Sequence, residues 1–229
     1  MTSDMTPKLV VPKELGRNGP WVSGLGPEKT GTTLINLVIE RLGLKDLRDV
    51  DVLDVGCGVR FTQAIINCDI PIKSYSGIDL HEPMIRYLQQ HVTDPRFTYR
   101  PWDVQNRMYN VAGSKLTRES RLPIPGDFDL IWLFSVFTHM DPDDADSLLA
   151  ILRRHVRPAG WLLFSAFIDP EIEGFEDRNP DKPLLRAFYG ERLMRQLLGN
   201  NGWEVLALHP RDPERYIASH FVCRPGSRL

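Results

Sequence analysis

The stretch VDVLDVGCG, at residues 50–58, decides the fold of this chain. Its first part, Val50–Val55, is apolar, β-branched and brief, which is typical of a buried parallel strand. Gly56 and Gly58 end this strand, and a helical pattern begins at Arg60. Glycines allow a backbone to approach a ligand where any Cβ would collide. The stretch therefore predicts a strand, a glycine loop that can bind a ligand, and a helix.

Outward from this stretch, apolar periodicity predicts strands that alternate with helices. The predicted helices are Glu28–Leu42, Arg60–Cys68, Glu82–Val92, Asp141–Val156 and Glu191–Leu198. The predicted strands are Val50–Val55, Ser74–Leu80, Arg96–Arg100, Phe128–Phe134, Trp161–Ile168, Trp203–His209 and Tyr216–Cys223. This alternation favours a doubly wound, mostly parallel sheet with helices on both faces. The last two strands follow each other too closely for a parallel crossover, so they are expected to be antiparallel.

Several segments lack a period and are expected to be irregular. Residues 1–27 are predicted to be an N-terminal arm and loop, and residues 28–229 one domain. Within that domain, residues 157–160 are predicted to form a turn. The longer segments 104–127 and 169–183 are expected to be lids over the site, since long loops in compact domains are commonly functional.

Composition excludes several classes of protein. The chain has 229 residues, a formal net charge of -2 and 42% hydrophobic residues, which is ordinary for a globular protein. We therefore expect no nucleic-acid partner, and no run is apolar and long enough to predict a membrane span. Three distant cysteines, Cys57, Cys68 and Cys223, do not form a disulfide framework, which favours a cytoplasmic location.

The glycine loop could bind either the pyrophosphate of a dinucleotide or a positively charged ligand, and the residues beside it distinguish these two interpretations. A dinucleotide-binding loop needs a third glycine, and that position holds Phe61. Asp54 precedes the loop, and a carboxylate there would repel a phosphate but attract a cationic ligand. The loop is therefore better suited to a positively charged ligand than to a pyrophosphate.

The run VLDVGCG, at residues 52–58, resembles motif I of the class I S-adenosylmethionine (SAM)-dependent methyltransferases, whose pattern is near D-x-G-x-G-x-G. The order and spacing of the elements extend the resemblance over about residues 34–223. Arg60 departs from the pattern, because the family usually has glycine there. The resemblance implies the strand order 3-2-1-4-5-7-6 with strand seven antiparallel, SAM as the methyl donor and S-adenosylhomocysteine (SAH) as its product.

The resemblance also implies a set of donor-binding residues. Asp79, at the end of the second strand, matches the acid that binds both ribose hydroxyls, and Leu80 would contact adenine. Asp103 matches the acid that accepts from the adenine amino group, with Val104 beside it. As alternatives, Asp79 could cap a helix and Asp103 could be a solvated loop acid. The complete predicted set is Asp54, Gly56, Cys57, Gly58, Asp79, Leu80, Asp103, Val104, Phe134 and Ser135.

His139, just beyond the fourth strand, is the candidate catalytic base. Its ordinary pKa lies near physiological pH, so it can accept a hydroxyl proton during methyl transfer. The alternative is a structural histidine bonded to its own helix or to Asp141. We expect the acceptor to be a hydroxyl on a small molecule, lipid or saccharide.

Two further groups have competing interpretations. The acidic positions Asp169, Glu171, Glu173, Glu176 and Asp177 could bind a divalent cation, but a solvated lid is favoured and no metal site is predicted. Aromatic side chains at loops, which could line an acceptor pocket or form a satellite core, are Trp21, Phe175 and Tyr189.

Three rival functions remain open from the sequence. The first is an N- or C-methyltransferase acting on a metabolite or a macromolecule. The second is a nicotinamide-dependent oxidoreductase, which Phe61 and Asp54 disfavour. The third is a non-catalytic protein that only binds the donor. The sequence does not address the oligomeric state.

Overall fold

A computed structural model describes residues 8–16, 25–107, 109–179, 181–212 and 216–226. Its α-helices are α1 Pro27–Leu42, α2 Arg60–Asn67, α3 Glu82–His91, α4 Pro142–Arg153 and α5 Glu191–Asn200. Proline stands in the first turn of α1, α3 and α4, where its missing N–H is not needed. Asp141 caps α4 by accepting a hydrogen bond from the Asp144 amide at 3.0 Å. Short 3₁₀ helices span Lys13–Leu15 and Phe137–His139.

The strands follow the predicted positions, with two additions. They are β1 Leu47–Val55, β2 Ile72–Asp79, β3 Phe97–Pro101, β4 Phe128–Leu133, β5 Val156–Ile168, β6 Phe175–Asp177, β7 Ala187–Tyr189, β8 Trp203–His209 and β9 Ser219–Pro225. Strands β3, β2, β1, β4 and β5 lie side by side and parallel. Strand β9 pairs with β5 and β8, antiparallel to both. The main sheet therefore has the order β3-β2-β1-β4-β5-β9-β8, which confirms the predicted doubly wound sheet.

Helices cover both faces of this sheet, so its central strands are apolar on both sides. Leu130, Ile131, Trp132 and Leu133 of β4 are all 0% exposed. On one face the core is formed with α1, α2 and α3, and on the other with α4 and α5. This double burial explains why β4 reads as a continuous apolar run and not as an alternating one.

The predicted turn at residues 157–160 is wrong, because these residues belong to β5. The pairing of β5 with β4 changes register between Phe128 and Leu130, and this irregularity accommodates the extra residues. Gly160 fits here because a Cβ would lie 3.0 Å from the carbonyl oxygens of Phe128 and Asp129. Predicted helix α4 is also too long, since β5 already begins at Val156.

The segment 169–183, predicted to be loop throughout, contains a strand. β6 pairs antiparallel with β7, and β7 pairs in parallel with Phe167 and Ile168 at the end of β5. Each of the two strands has three residues, which is too short for a period-2 pattern to show in the sequence. We call residues 169–190 the hairpin segment.

Part of the N-terminal segment packs on the domain. Leu9 is buried, and its N–H and C=O each form a 2.8 Å hydrogen bond with the side chain of Asn67 on α2. The Tyr87 hydroxyl on α3 donates to the carbonyl oxygen of Val10 at 2.7 Å. Residues 8–12 are therefore not a free arm. Trp21, predicted as a possible pocket wall, lies outside the described residues.

Residues 104–127 form the long irregular connection that the sequence predicts. Three of its side chains, Leu116, Leu122 and Ile124, are buried in the core. The indole N–H of Trp102 donates to the carbonyl oxygen of Arg121 at 3.1 Å. The connection is thus tied to the sheet at several points. Among the helices of the described residues, none has the length and apolar character needed to cross a bilayer.

Candidate active site

A cavity of about 900 Å³ opens where β1, β2, β4 and β5 end. In an open parallel sheet, ligands bind at this edge, where the order of strands reverses. The reversal lies between β1 and β4, which are neighbours in the sheet but not in the chain. Predicted site residues in its lining are Gly56, Cys57, Gly58, Asp79, Leu80, Val104, Phe134, Ser135 and His139. The structure thus brings together residues from the ends of four strands, β1, β2, β3 and β4.

The glycine loop is shaped to leave space in this cavity. Gly56 and Gly58 have φ angles of 71° and 52°, in the left-handed region that favours glycine. A Cβ on Gly56 would lie 2.6 Å from the Val136 side chain, whereas one on Gly58 would meet nothing within 4 Å. A side chain at Gly58 would therefore extend into free space beside the loop. The loop is held because the amides of Gly56 and Cys57 donate to the carbonyl oxygen of Ile78 at 2.8 and 3.1 Å.

The carboxylate of Asp79 is fixed at the edge of the cavity by backbone groups. One oxygen accepts a hydrogen bond from the Gly58 amide at 3.0 Å, and the other from the His81 amide at 2.9 Å. A carboxylate has about four acceptor positions, so this arrangement leaves capacity for a hydroxyl pair. Asp79 thus links the glycine loop to β2 and still lines the cavity.

Two predicted acids are not in the cavity lining. Asp54 is 1% exposed and accepts a hydrogen bond from the Tyr75 hydroxyl beneath the glycine loop. Burial raises the pKa of Asp54 to about 7, and the hydrogen bond from Tyr75 opposes this rise. Asp103 is exposed and accepts from the Asn110 side chain at 3.0 Å. Neither carboxylate therefore lines the cavity in this arrangement.

The residues after the glycine loop restrict which ligands the loop can bind. Phe61 is 3% exposed and packs against Trp132 and Phe134, with ring centroids 4.8 and 5.2 Å away. Its ring fills the position that a dinucleotide-binding loop keeps as glycine. Arg60 lines the cavity, and burial lowers the pKa of its guanidinium while the charge of Asp54 opposes that shift.

His139 lies in the cavity lining with a defined hydrogen bond. Its Nδ1 lies 3.1 Å from the carbonyl oxygen of Leu184 in the hairpin segment. Because a carbonyl only accepts, Nδ1 carries the hydrogen, and the neutral imidazole keeps its lone pair on Nε2. Burial lowers the pKa of His139, so the neutral form prevails near pH 7. The partner is therefore neither the histidine's own helix nor Asp141.

The hairpin segment and the 104–127 connection hold the 3₁₀ helix that carries His139. The buried Tyr189 hydroxyl donates to the carbonyl oxygen of Met140 at 2.7 Å. From the other side, the Asn106 side chain donates to the carbonyl oxygen of His139 at 3.0 Å. Tyr189 is 0% exposed, so it belongs to the core and is not the pocket wall considered from sequence. Phe175 packs on its ring at 5.2 Å between centroids.

Part of the cavity lining was not predicted from the sequence. The end of the cavity beyond His139 is formed by Phe167, Ile168, Leu185, Arg186, Phe188, Arg211, Ile217 and Ser219. These residues come from β5, the hairpin segment and β9 with its preceding turn. The hairpin strands show no period, so the sequence carried no signal that would bring Arg186 and Arg211 to one site.

The acidic positions of the hairpin segment are engaged by other groups. Arg178 forms ion pairs with Asp169 at 2.7 Å and Glu176 at 2.8 Å. Asp177 accepts from the Leu184 amide at 2.7 Å. Within the described residues, no group of three or more metal-ligating side chains is assembled. This segment is therefore stabilised by its own ion pairs and backbone contacts.

Comparison with known proteins agrees with this geometry. Residues 53–162 match the sequence model of a family described as a methyltransferase domain. A glycopeptide N-methyltransferase with SAH superposes with a TM-score of 0.59 and 15% identity over 90% of this chain and 95% of that one. Magnesium protoporphyrin IX methyltransferase from Synechocystis PCC 6803 gives 0.58 and 16% over 93% and 92%.

A third similar structure is 1,6-didemethyltoxoflavin-N1-methyltransferase from Burkholderia thailandensis, with a TM-score of 0.60 and 18% identity over 90% of this chain and 81% of that one. These likenesses concern the fold. The family match over residues 53–162, motif I at residues 52–58 and the order of the sheet all agree with a SAM-dependent methyltransferase of the class I fold. Enzymes of this class take a methyl group from SAM and release SAH.

Proposed function

We propose that this protein methylates a hydroxyl group of a small molecule, with His139 as the general base. One observation carries the proposal. The Nδ1 hydrogen of His139 is bonded to the Leu184 carbonyl, so the basic Nε2 belongs to a side chain in the cavity of the glycine loop. An amine nucleophile carries its own lone pair when neutral, whereas a hydroxyl becomes a good nucleophile only as its proton leaves.

The donor half of the cavity is formed by the loops after β1, β2, β3 and β4. Here we assign SAM to Gly56, Cys57 and Gly58, with the ribose hydroxyls on Asp79 and the adenine near Leu80 and Val104. Phe134 and Ser135 line the side toward the methyl group. The free space beside Gly58 and the fixed carboxylate of Asp79 suit this ligand.

The two predicted acids outside the lining receive less direct roles. Asp54 lies beneath the loop, and its carboxyl group, with a pKa raised to about 7 by burial, attracts Arg60 when it is ionised. Asp103 reaches the adenine amino group only if its carboxylate leaves Asn110. The glycine loop and Asp79 therefore carry most of the donor affinity in this proposal.

The acceptor half lies beyond His139. Its volume is consistent with a second ligand, because 900 Å³ is near the top of the range of about 300–1,000 Å³ found for ligand pockets. Residues 104–127 and 169–183 border the cavity or hold its lining, which supports their proposed role as acceptor lids. We place them in one domain with residues 28–229.

The protein contributes orientation, exclusion of water and proton transfer. SAM supplies a methyl group already activated by its sulfonium charge. The glycine loop and Asp79 hold the donor, and the apolar lining aligns the acceptor oxygen with it. As the carbon–sulfur bond breaks toward sulfur and the oxygen–carbon bond forms, Nε2 of His139 takes the hydroxyl proton. Such general base catalysis contributes about 10²–10⁴-fold.

The direct test is transfer of labelled methyl from SAM to matched hydroxyl and amine compounds, with identification of the labelled atom. We expect a label on oxygen and a loss of turnover in His139→Gln with little change in SAH affinity. A label on nitrogen or carbon, or full turnover of the variant, would contradict the proposal. Tight SAH binding without transfer to any compound would favour a donor-binding protein, and tighter binding of NADH than of SAH would favour an oxidoreductase.

The cysteines and the net charge support a compartment and an acceptor class for the enzyme. Cys57, Cys68 and Cys223 are free thiols, which supports a reducing compartment such as the cytoplasm. The net charge of -2 supports a small-molecule acceptor over a nucleic acid.

A further inference from the structure

The far end of the cavity has a distinct chemical character. We call its eight lining residues the acceptor end: Phe167, Ile168, Leu185, Arg186, Phe188, Arg211, Ile217 and Ser219. The rings of Phe167 and Phe188 stack with centroids 5.0 Å apart and an interplanar angle of 22°. The charged residues in this part of the lining are both arginines. The acceptor end thus combines aromatic side chains with positive charge.

The side chains of the two arginines are less engaged than their backbones, which bond to Ser219 and Arg178. Within the described residues, the guanidinium groups of Arg186 and Arg211 have no hydrogen bond and no ion pair. By contrast, Arg178 next to them is bound to Asp169 and Glu176 and lies over the Phe188 ring, 4.3 Å from its centroid. A guanidinium beside a cavity that has no hydrogen bond or ion pair to the described residues is well suited to bind a carboxylate or a phosphate through paired N–H groups.

The neighbouring acids do not cancel this charge within the cavity. Hydrogen bonds from the Glu171 amide and the Arg178 guanidinium lower the pKa of Asp169, and the charge of Arg211 adds to this effect. Asp169 is not in the lining, and its carboxylate already binds Arg178. The acids that do line the cavity, Asp79 and Asp144, stand at the end of β2 and in the first turn of α4.

The sheet order separates this positive end from the donor half. Asp79 ends β2, and the order β2-β1-β4-β5 puts three strand spacings between it and the end of β5. At about 4.8 Å a spacing, that distance is about 14 Å. His139 follows β4 and stands between the two ends. An acceptor can therefore present its hydroxyl to His139 while another part of it reaches the arginines.

We propose that the acceptor is a small aromatic molecule with an anionic group, a carboxylate or a phosphate, which Arg186 and Arg211 bind while Phe167 and Phe188 contact its ring. This inference rests on the proposed function, since it names the substrate class of the same site. It assigns the two arginines to specificity and leaves proton transfer to His139.

The test is calorimetric titration of the full chain, saturated with SAH, with hydroxylated aromatic carboxylic acids and with the neutral amide of each. Hydroxyphenyl phosphates form a second arm that separates phosphate from carboxylate. We expect at least one acid or phosphate to bind about ten-fold or more tightly than its neutral counterpart. That preference should be lost in the double variant Arg186→Gln, Arg211→Gln, and affinity for SAH should not change.

Arg192→Gln is the matched control, because this exposed arginine pairs with Glu173 and is outside the lining. It should retain the preference for the anion. If no anionic compound binds better than its neutral counterpart, or if the double variant keeps the preference, the inference is wrong while the proposed methyl transfer stands. If SAH itself does not bind, the proposed function fails first.

Discussion

The hydroxyl of Tyr189 donates a 2.7 Å hydrogen bond to the carbonyl oxygen of Met140, the residue after His139. Together with the bond between His139 and Leu184, it attaches the 3₁₀ helix of the proposed base to the hairpin segment. The position of the base therefore depends on residues about 45–50 positions later in the chain.

We expect Tyr189→Phe to lower kcat more than SAH affinity. The change leaves a buried carbonyl oxygen without its donor, which costs about 1–3 kcal/mol, and it loosens the segment that holds His139. Steady-state kinetics and SAH calorimetry measure the two effects. Tyr87→Phe is the control, because it removes a similar hydroxyl–carbonyl bond, to Val10, that does not involve the cavity lining. Equal losses of kcat in both variants would mean that Tyr189 acts only through stability.

The pH dependence of kcat/KM should report the protonation of His139. Burial lowers the pKa of this imidazole below its ordinary value of 6.5, and the neutral form is the base. Activity should therefore be constant around neutral pH, and the midpoint of its acidic loss should lie below pH 6.5.

In His139→Gln this acidic limb should disappear together with most of the turnover. His155→Gln is the control, since His155 makes a comparable contact with the Gly126 carbonyl at 3.0 Å but is not part of the cavity lining. An unchanged acidic limb in His139→Gln would assign the titration to another group.

Asp79→Asn should weaken SAH binding by about ten-fold or more. An amide keeps the size of the side chain but replaces one acceptor oxygen by a donor, so it cannot accept from two backbone amides and a pair of ribose hydroxyls together. Calorimetry with SAH measures the loss. Asp103→Asn should have a smaller effect, because that carboxylate binds Asn110 and does not line the cavity. The opposite ranking would restore Asp103 as the main donor-binding acid.

His220 should make stability depend on pH. It is 2% exposed on β9, and burial, followed by the charges of Arg41 and His209, lowers its pKa to about 3. Below pH 6.5 the unfolded chain binds a proton that the folded chain does not, so the free energy of unfolding falls as pH falls. The linkage amounts to about 1.4 kcal/mol per pH unit, or about 2 kcal/mol between pH 7 and pH 5.

His220→Phe keeps an aromatic ring between Phe134 and Tyr216 and removes this titration. Urea unfolding at pH 7 and pH 5 should therefore show about 2 kcal/mol less pH dependence in the variant than in the unchanged protein. The difference between the two proteins isolates His220, because other buried groups such as Asp54 titrate in both. An identical pH dependence would mean that His220 is protonated in the folded state.

Much of the fold was open to prediction because its causes are local. The β-branched run before Gly56, the helical period after Arg60 and the repeat of this pattern along the chain implied a parallel sheet. The resemblance of VLDVGCG to motif I then supplied the strand order, which the structure confirms. Two predictions were wrong because strand pairing overrides the local sequence pattern. Residues 157–160 have the composition of a turn but belong to β5, and β6, with three residues, is too short to show a period in the sequence.

The sequence by itself predicted a methyltransferase and the residues that we propose for the donor half of its site. The glycine loop and Asp79 are each defined by the strand that they follow, and the end of a parallel strand already faces the ligand edge. Only the tertiary structure decided the burial of Asp54, the proton position on His139 and the placement of Arg186 and Arg211 in the lining of one cavity. Each of these depends on contacts between residues far apart in the chain, and neither periodicity nor spacing records which distant groups meet when the layers pack.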